Sequence, residues 1–200
     1  MMLIDRLQFS EEDHSYTLDG KRLPGVTEIL GSLGLVNTDW FTPESRDRGR
    51  AVHLGIHLIQ EGTLDWDSVC PQIVPYLIAY SRFAREMKLE TLFSEQRMAS
   101  ARYRFAGTLD RGGWVHSRKL SLIDFKTGTH AAWMDIQLAL YELLWRENAA
   151  DMGIDPPEDR FVVELRADAS YRIHSMKIKP AQLSNITSAI LTLNLFKETK

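Results

Sequence analysis

Cysteine is nearly absent: Cys70 is the only one in 200 residues. A disulfide scaffold is therefore excluded, and a four-cysteine zinc ribbon or iron–sulfur cluster has no ligands. No apolar run approaches the ~20 residues that cross a bilayer, so a membrane span is not expected. The opening residues 1–8 carry Asp5 and Arg6 early and lack the long apolar stretch of a secretory signal peptide. The expected compartment is a reducing cytoplasm. Neither sign of charge dominates: 24 Lys+Arg against 27 Asp+Glu leave −3, so any nucleic-acid binding needs a local basic groove. Low-complexity linkers and internal repeats are absent as well.

What is present suits a folded chain. Hydrophobic residues make up 44% and charged residues 26%, the balance of a globular protein with its own core. The length fits a single domain over residues 1–200, with 1–25 as an N-terminal β-hairpin appendage and 42–200 as the core. In the appendage, residues 8–17 lead into the turn pair Asp19-Gly20, and Lys21-Arg22-Leu23 returns. Val26 to Leu33 reads as a short helix stopped by Gly34. Thr42-Pro43-Glu44 opens a helix that runs to about Gln60 and stops at Gly62. Asp65 to Met87 reads as a second long helix, whose first turns Pro71 and Pro75 disturb.

The period then changes. Glu90 to Met98, Arg104 to Val115 and Leu120 to Lys126 read as strands, followed by a helix over His130 to Ala149. Phe161 to Arg166 and Tyr171 to Ile178 form a further hairpin, and Pro180 opens a terminal helix through about Phe196. This order predicts an α/β layer with a mixed sheet.

The chemistry concentrates in Gly107-Thr108-Leu109-Asp110 and Asp124-Phe125-Lys126-Thr127-Gly128. Asp124 and Lys126 are two apart on a strand and share a face, while Phe125 points the other way. A tight connection centred on Ser117 sets Asp110 opposite Asp124, with Cβ atoms ~5 Å apart. Two close carboxylates repel unless a cation intervenes. A hard divalent ion uses one or two carboxylates plus substrate phosphate. On geometry alone, a surface ion pair between strands remains the competing account.

Asp110 followed by Asp124-x-Lys126 resembles the PD-(D/E)XK nuclease superfamily, and more narrowly its RecB-like and phage-type exonuclease branch. Gly107-Thr108-Leu109-Asp110 is similar to the second motif of that branch, and Ile123-Asp124-Phe125-Lys126-Thr127-Gly128 to the third. Gln137 and Tyr141 match its Q-x-x-x-Y pattern. Arg48-Gly49-Arg50-Ala51-Val52-His53 resembles its upstream histidine helix, usually G-T-x-x-H, with Arg50 in place of the small residue. Leu109 stands where the superfamily's name has proline. The match runs from about Arg46 to Leu144.

The resemblance implies a restriction-endonuclease-like α/β core, a central mixed sheet flanked by helices. It implies a Mg²⁺- or Mn²⁺-dependent DNA nuclease, exonuclease more than endonuclease, resecting ends in recombination or repair. Asp110, Asp124, His53 and the Phe125 carbonyl would be metal ligands, and Lys126 the catalytic lysine. Glu95 matches a carboxylate often seen on the first strand and would be an outer ligand, or simply an exposed acid. Gln137 and Tyr141 would contact DNA or brace the site. Thr108, Thr127, Arg50, Arg102 and Arg104 are further candidates for phosphate contact, with Arg46 and Arg48 beside them. Trp114 and Trp133 suit base stacking or packing equally well. Gly49, one turn before His53, is expected to leave room for close approach.

DNA, linear ends above all, is the implied partner, and ring-forming relatives add a homo-oligomer or a recombination protein. The implied setting is a bacterial or phage-infected cytoplasm. Iron–sulfur members of the branch are set apart by their four cysteines. The alternative is a nuclease-like fold kept as a non-catalytic DNA- or protein-binding module. A zinc-protease reading of His53 and His57 fails because Leu54 occupies the glutamate position. The D-K-T-G-T loop of cation-pumping ATPases differs by the intervening Phe125.

Overall fold

The computed structural model describes residues 3–36, 42–176, 185, 188, 191 and 192. The terminal helix expected from Pro180 falls largely outside these; the described residues within it are helical. Ile178, the expected end of the last strand, also lies outside them.

A single turn, α1 (Leu3–Arg6), precedes β1 (Leu7–Ser10), β2 (Ser15–Leu18) and β3 (Lys21–Leu23). These form a 3-stranded antiparallel sheet: β2 and β3 make the expected hairpin, and β1 is an added strand. Glu11, Glu12 and Asp13 interrupt the strand pattern, and His14 at φ 52° lets the chain reverse, so residues 7–10 pair back on β2. Asp19 (φ 52°) and Gly20 (φ 74°) make the expected turn, since such two-residue hairpin turns need positive φ. Pro24 then accepts a hydrogen bond from the Ala106 amide at 3.0 Å, which docks this unit on the main sheet.

Helix α2 (Val26–Ser32) buries Val26, Ile29 and Leu30. Helix α3 (Pro43–Glu61) starts as expected: Thr42 caps it by accepting from the Ser45 amide at 3.2 Å, and Gly62 at φ 68° ends it. Its buried stripe is Val52 and Ile56. The long helix expected from Asp65 is split. A 3₁₀ turn at Trp66–Ser68 is followed by α4 (Val74–Glu86), with Pro75 in the first turn, where a missing N–H costs nothing.

Strands β4 (Glu90–Ser100), β5 (Phe105–Val115) and β6 (Lys119–Lys126) lead to α5 (Ala132–Met152), β7 (Asp159–Leu165) and β8 (Tyr171–Ser175). The sheet order is β4-β5-β6-β7-β8, mixed as expected: β6 and β7 are parallel across the α5 crossover, the other pairs antiparallel. One face carries α2 and α5 over Leu109, Leu120, Leu122, Leu138, Leu144 and Trp145. The other carries α3 and α4 over Ile123, Phe125, Val163, Leu77 and Phe83. Alternation on β6 therefore sends Leu120 and Leu122 one way and Ile123 and Phe125 the other.

No protein atom crowds Gly49: a Cβ there would meet nothing within 4 Å, whereas Gly55 is the close-packed glycine of α3, its Cβ position 2.7 Å from Leu77 Cδ1. Gly49→Ala should therefore stabilise the protein by about 0.5–1 kcal/mol through helix propensity alone. Gly112→Ala should do the opposite. Its Cβ would lie 2.4 Å from Phe93 and 2.7 Å from Trp145, and overpacking of this kind costs roughly 1–3 kcal/mol. Denaturant melts of the two variants check both signs.

Candidate active site

The sheet is irregular where the motif residues lie. Strand β4 pairs Ser94 with Arg111 and Gln96 with Leu109, but the intervening Glu95 and Asp110 make no pair. Glu95 sits at φ 47°, a left-handed conformation that a side-chain-bearing residue seldom holds within a strand. Both strands change phase there. Phe93 and Met98, an odd number of residues apart, face the same core cluster, and so do the Cβ positions of Gly107 and Gly112.

On the other side, the β5–β6 ladder ends at Arg111↔Ile123. This is the register expected from a turn centred on Ser117, and His116 and Ser117 form that turn with positive φ. Beyond it the strands part, so the cross-strand pair expected between Asp110 and Asp124 does not form. The Phe125 amide, which would lose its partner, donates instead to Asp110 Oδ2 at 2.8 Å in a buried contact. The Phe125 carbonyl emerges on the same side, because N–H and C=O of one strand residue point together.

His53 enters this gap from α3. Its Nε2 lies 3.2 Å from the Phe125 carbonyl and 3.8 Å from Asp110 Oδ2, and its Nδ1 lies 3.1 Å from Glu95 Oε1. Burial alone would lower the imidazole's pKa, but the charge of Asp110 and the hydrogen bond and charge of Glu95 outweigh it and raise it to about 9. Ligand atoms of His53, Glu95 and Asp110 all lie within 4.8 Å of one another. Glu95 thus stands beside His53 and Asp110 rather than outside them, and its backbone conformation puts it there. Periodicity carried no sign of that.

Asp124 is apart from this trio, though Asp110 still acts on it. Its carboxylate is almost fully buried, and burial, followed by the charge of Asp110, raises its pKa against the opposing pull of Lys126. Lys126 Nζ lies 2.7 Å from Asp124 Oδ2, yet neither Asp124 oxygen receives a properly directed hydrogen bond. For Lys126, burial favours the neutral amine, but the charges of Asp124 and Asp110 prevail and raise its pKa, so it stays an ammonium.

Tyr141 and Gln137 close the wall toward α5, where Gln137 Nε2 donates to the Tyr141 hydroxyl at 3.1 Å. Burial first, and then the charges of Asp124 and Asp110, hold the phenol well above its usual range. Gly107 is needed for this packing, since a Cβ would lie 2.8 Å from Tyr141 Cε1. Thr108 meets the Tyr16 hydroxyl at 2.8 Å, and Thr127 accepts from Arg48 Nε at 3.5 Å.

Other candidates lie elsewhere. Arg50 is 69% exposed and faces Asp47 at 3.7 Å. Arg102 and Arg104 sit in the β4–β5 turn, before the strand whose alternation was to orient them. Arg104 lines a separate cavity with Arg6 and Asp19, and Arg102 stacks on Tyr103. Trp114 is exposed on β5, and Trp133 packs against the core. Arg48 of α3 reaches the site through Thr127. It extends the Val52–Ile56 stripe by one turn, a signal already present in the helical spacing.

The donor set suits a hard divalent cation. It offers carboxylate oxygens, a peptide carbonyl and one imidazole, and the two buried Asp124 oxygens without hydrogen bonds are what such an ion would satisfy. Imidazole binds Mn²⁺ better than Mg²⁺. His53→Ala should therefore weaken Mn²⁺ binding measured by calorimetry. His57→Ala should leave affinity unchanged, because His57 faces Glu61 at 3.3 Å away from the site. Equal Mn²⁺ affinity in wild type and His53→Ala would remove His53 from the ligand set.

No protein-family model matches the sequence, and no curated protein does either. Solved structures do. A presumptive exonuclease from Eubacterium rectale superposes with TM-score 0.52 at 13% identity, over 85% of this chain and 71% of that one. An alkaline exonuclease from Laribacter hongkongensis, solved with dAMP, aligns at 14% identity and TM-score 0.42 over 88% of each chain. The chain has the α/β fold of the first of these exonuclease-type structures, as the motif resemblance implied.

Proposed function

We propose that the chain is a metal-dependent deoxyribonuclease, acting as a phage-type exonuclease that resects DNA ends in recombination or repair. One observation carries the reading: buried Asp124, its oxygens short of hydrogen bonds, lies against the Lys126 ammonium and next in sequence to Phe125, whose carbonyl meets His53 of the His53–Glu95–Asp110 group. A resemblance in fold to an exonuclease-type structure supports it.

Asp110, Asp124, His53 and the Phe125 carbonyl would hold Mg²⁺ or Mn²⁺, with Glu95 added to the set. Such an ion lowers the pKa of a bound water and neutralises charge on phosphoryl oxygens. The remaining work falls to the chain's own groups. Lys126, kept protonated by its acidic neighbours, donates toward the phosphate and offsets its developing negative charge. It cannot serve as the general base while it carries that proton. Asp110, tied to the Phe125 amide, fixes the strand that bears Asp124 and Lys126. Thr127 and Arg48 extend the polar surface from Lys126 toward α3. DNA is the substrate in this reading, and residues 1–200 act as one nuclease unit.

Cleavage of linear DNA should require Mg²⁺ or Mn²⁺ and stop on exhaustive chelation. Lys126→Ala should lower turnover on the order of 10²-fold or more while metal and DNA still bind, the effect of losing one preorganised charge donor. Full cleavage after chelation, or full activity in Lys126→Ala, would overturn the reading. End-labelled linear and circular substrates separate exonuclease from endonuclease action.

Phosphate contact has its own readout. Arg48→Ala should reduce the log–log salt slope of duplex binding by about 0.9, as for one lost phosphate contact. Arg102→Ala and Arg104→Ala should leave that slope unchanged, since both lie in the distant turn.

A further inference from the structure

Arg111 follows Asp110 directly, yet it has no role in the chemistry above. Its side chain is 1% exposed. The guanidinium lies 5.9 Å from the ring centroids of Tyr80 on α4 and Phe125 on β6. Its Nη1 donates to Thr91 on β4 at 3.0 Å. Among the described residues no carboxylate forms an ion pair with it. Arg160 shows the contrast: it is buried as well, but it is paired with Glu142.

A buried guanidinium without an ion pair is costly, and a hydrophobic side chain of similar volume can often replace a buried ion without loss of stability. Packing against Tyr80 and Phe125 would suit a methionine equally well. The charge itself needs an explanation, and the nearby acids supply one. Burial lowers the pKa of Arg111, while Tyr80, Asp110 and Glu95 pull it back up. Asp110 and Glu95 belong to the candidate metal group. Asp110 and Arg111 share a peptide bond, so their charged groups lie on the order of 10 Å apart or closer. Arginine stays ionised in proteins. The acids therefore have a fixed positive charge beneath them.

This charge differs from the other two cations of the site. Lys126 meets Asp124, and His53 meets Glu95 and Asp110 with its own ring nitrogens. Arg111 touches none of these carboxylates and has no lone pair to offer an ion. It can neither bind a divalent cation nor move aside for one, so it repels the ion that the acids attract.

We propose that Arg111 is a positioning residue whose fixed charge offsets Glu95 and Asp110 and so keeps their affinity for a divalent cation low. The inference rests on the metal-site reading above and adds the group that sets its strength. It also has a sign. Replacing a residue needed only for packing would weaken metal binding or leave it unchanged, whereas removing a fixed counter-charge strengthens it.

Arg111→Met and Arg111→Gln remove the charge and keep much of the volume. Once folding is verified by circular dichroism, each should bind Mn²⁺ roughly tenfold more tightly in calorimetry, the scale of one unit charge acting on a divalent ion across a partly hydrated interior. The Mn²⁺ concentration that half-saturates DNA cleavage should fall with it. Thr91→Asp tests the same charge without emptying the core. Thr91 is exposed, and an aspartate there would give Arg111 an ion-pair partner. This variant should tighten Mn²⁺ binding about threefold, as partial neutralisation of the same charge. Leu92→Asp adds an equal charge at the next exposed position and should do less. Equal or weaker Mn²⁺ binding in the folded Arg111 variants would overturn the inference. If neither folds, equal effects of Thr91→Asp and Leu92→Asp overturn it, and a larger effect of Thr91→Asp upholds it. If wild type and every variant bind no Mn²⁺, the metal-site reading fails and this inference with it. If wild type binds Mn²⁺ and the variants match it, this inference fails alone.

Discussion

Every buried main-chain amide needs a partner, and at Phe125 the sheet does not provide one. Strand β5 leaves β6 after Arg111↔Ile123, so the next amide on that edge of β6 is answered by the Asp110 carboxylate. This substitution determines much of what lies around it. The parted strands leave a gap inside the sheet. The Phe125 carbonyl opens into the same gap and meets His53. Asp124 and Lys126 flank Phe125 and keep their pairing with Val162 and Glu164 of β7, which anchors them on the far side. One side-chain hydrogen bond therefore fixes an acid, a carbonyl and, through rigid strand geometry, a second acid and a lysine.

Charge compounds the constraint. Three carboxylates, Glu95, Asp110 and Asp124, face one ammonium and one imidazole within a largely enclosed region. Below them Arg111 is buried, with its guanidinium 5.9 Å from the ring centroids of both Tyr80 and Phe125 and Nη1 donating to Thr91. Burial lowers the pKa of Arg111, and the charges of Asp110 and Glu95 work in the opposite direction. Desolvated ions are costly unless paired and hydrogen-bonded. Here the balance is incomplete, because Asp124 Oδ1 has no hydrogen-bond partner and Oδ2 meets only the Lys126 ammonium, at 2.7 Å. A region built only for stability would not retain a buried carboxylate so sparsely partnered. Its persistence fits a site whose remaining partner is an external cation.

The regular parts of this arrangement were legible from sequence because they follow period and turn chemistry. The register opposite Ser117, the capped start of α3 at Thr42 and the shared face of Asp124 and Lys126 are of that kind. Glu95 was not legible as an equal member of the His53 group, since its position depends on a left-handed backbone within a strand. Arg102 and Arg104 were misplaced for a related reason: alternation was extended into residues that the structure uses as a turn. Arg50 is exposed beside Asp47, whereas helical spacing aligns Arg48 with the buried stripe. The third N-terminal strand was missed because three acids and a left-handed His14 conceal a reversal inside what reads as one strand.

The separate motifs record contacts within one assembly. Gly107 lacks a side chain because the Tyr141 ring occupies that space. Tyr141 is held by Gln137 one turn earlier, so the Q-x-x-x-Y spacing and the glycine that precedes Thr108 describe two sides of the same contact. Thr108 in turn receives Tyr16 from the N-terminal sheet, and Pro24 binds the Ala106 amide two residues before it. The main-chain edge of β5 that β6 abandons is thus taken over, further along, by the N-terminal unit. Had β6 continued to pair past Arg111, Pro24 would have no amide to receive, and the gap at His53 could not form. The parting of two strands therefore accounts for both the cluster of acids and the surface on which the N-terminal sheet rests.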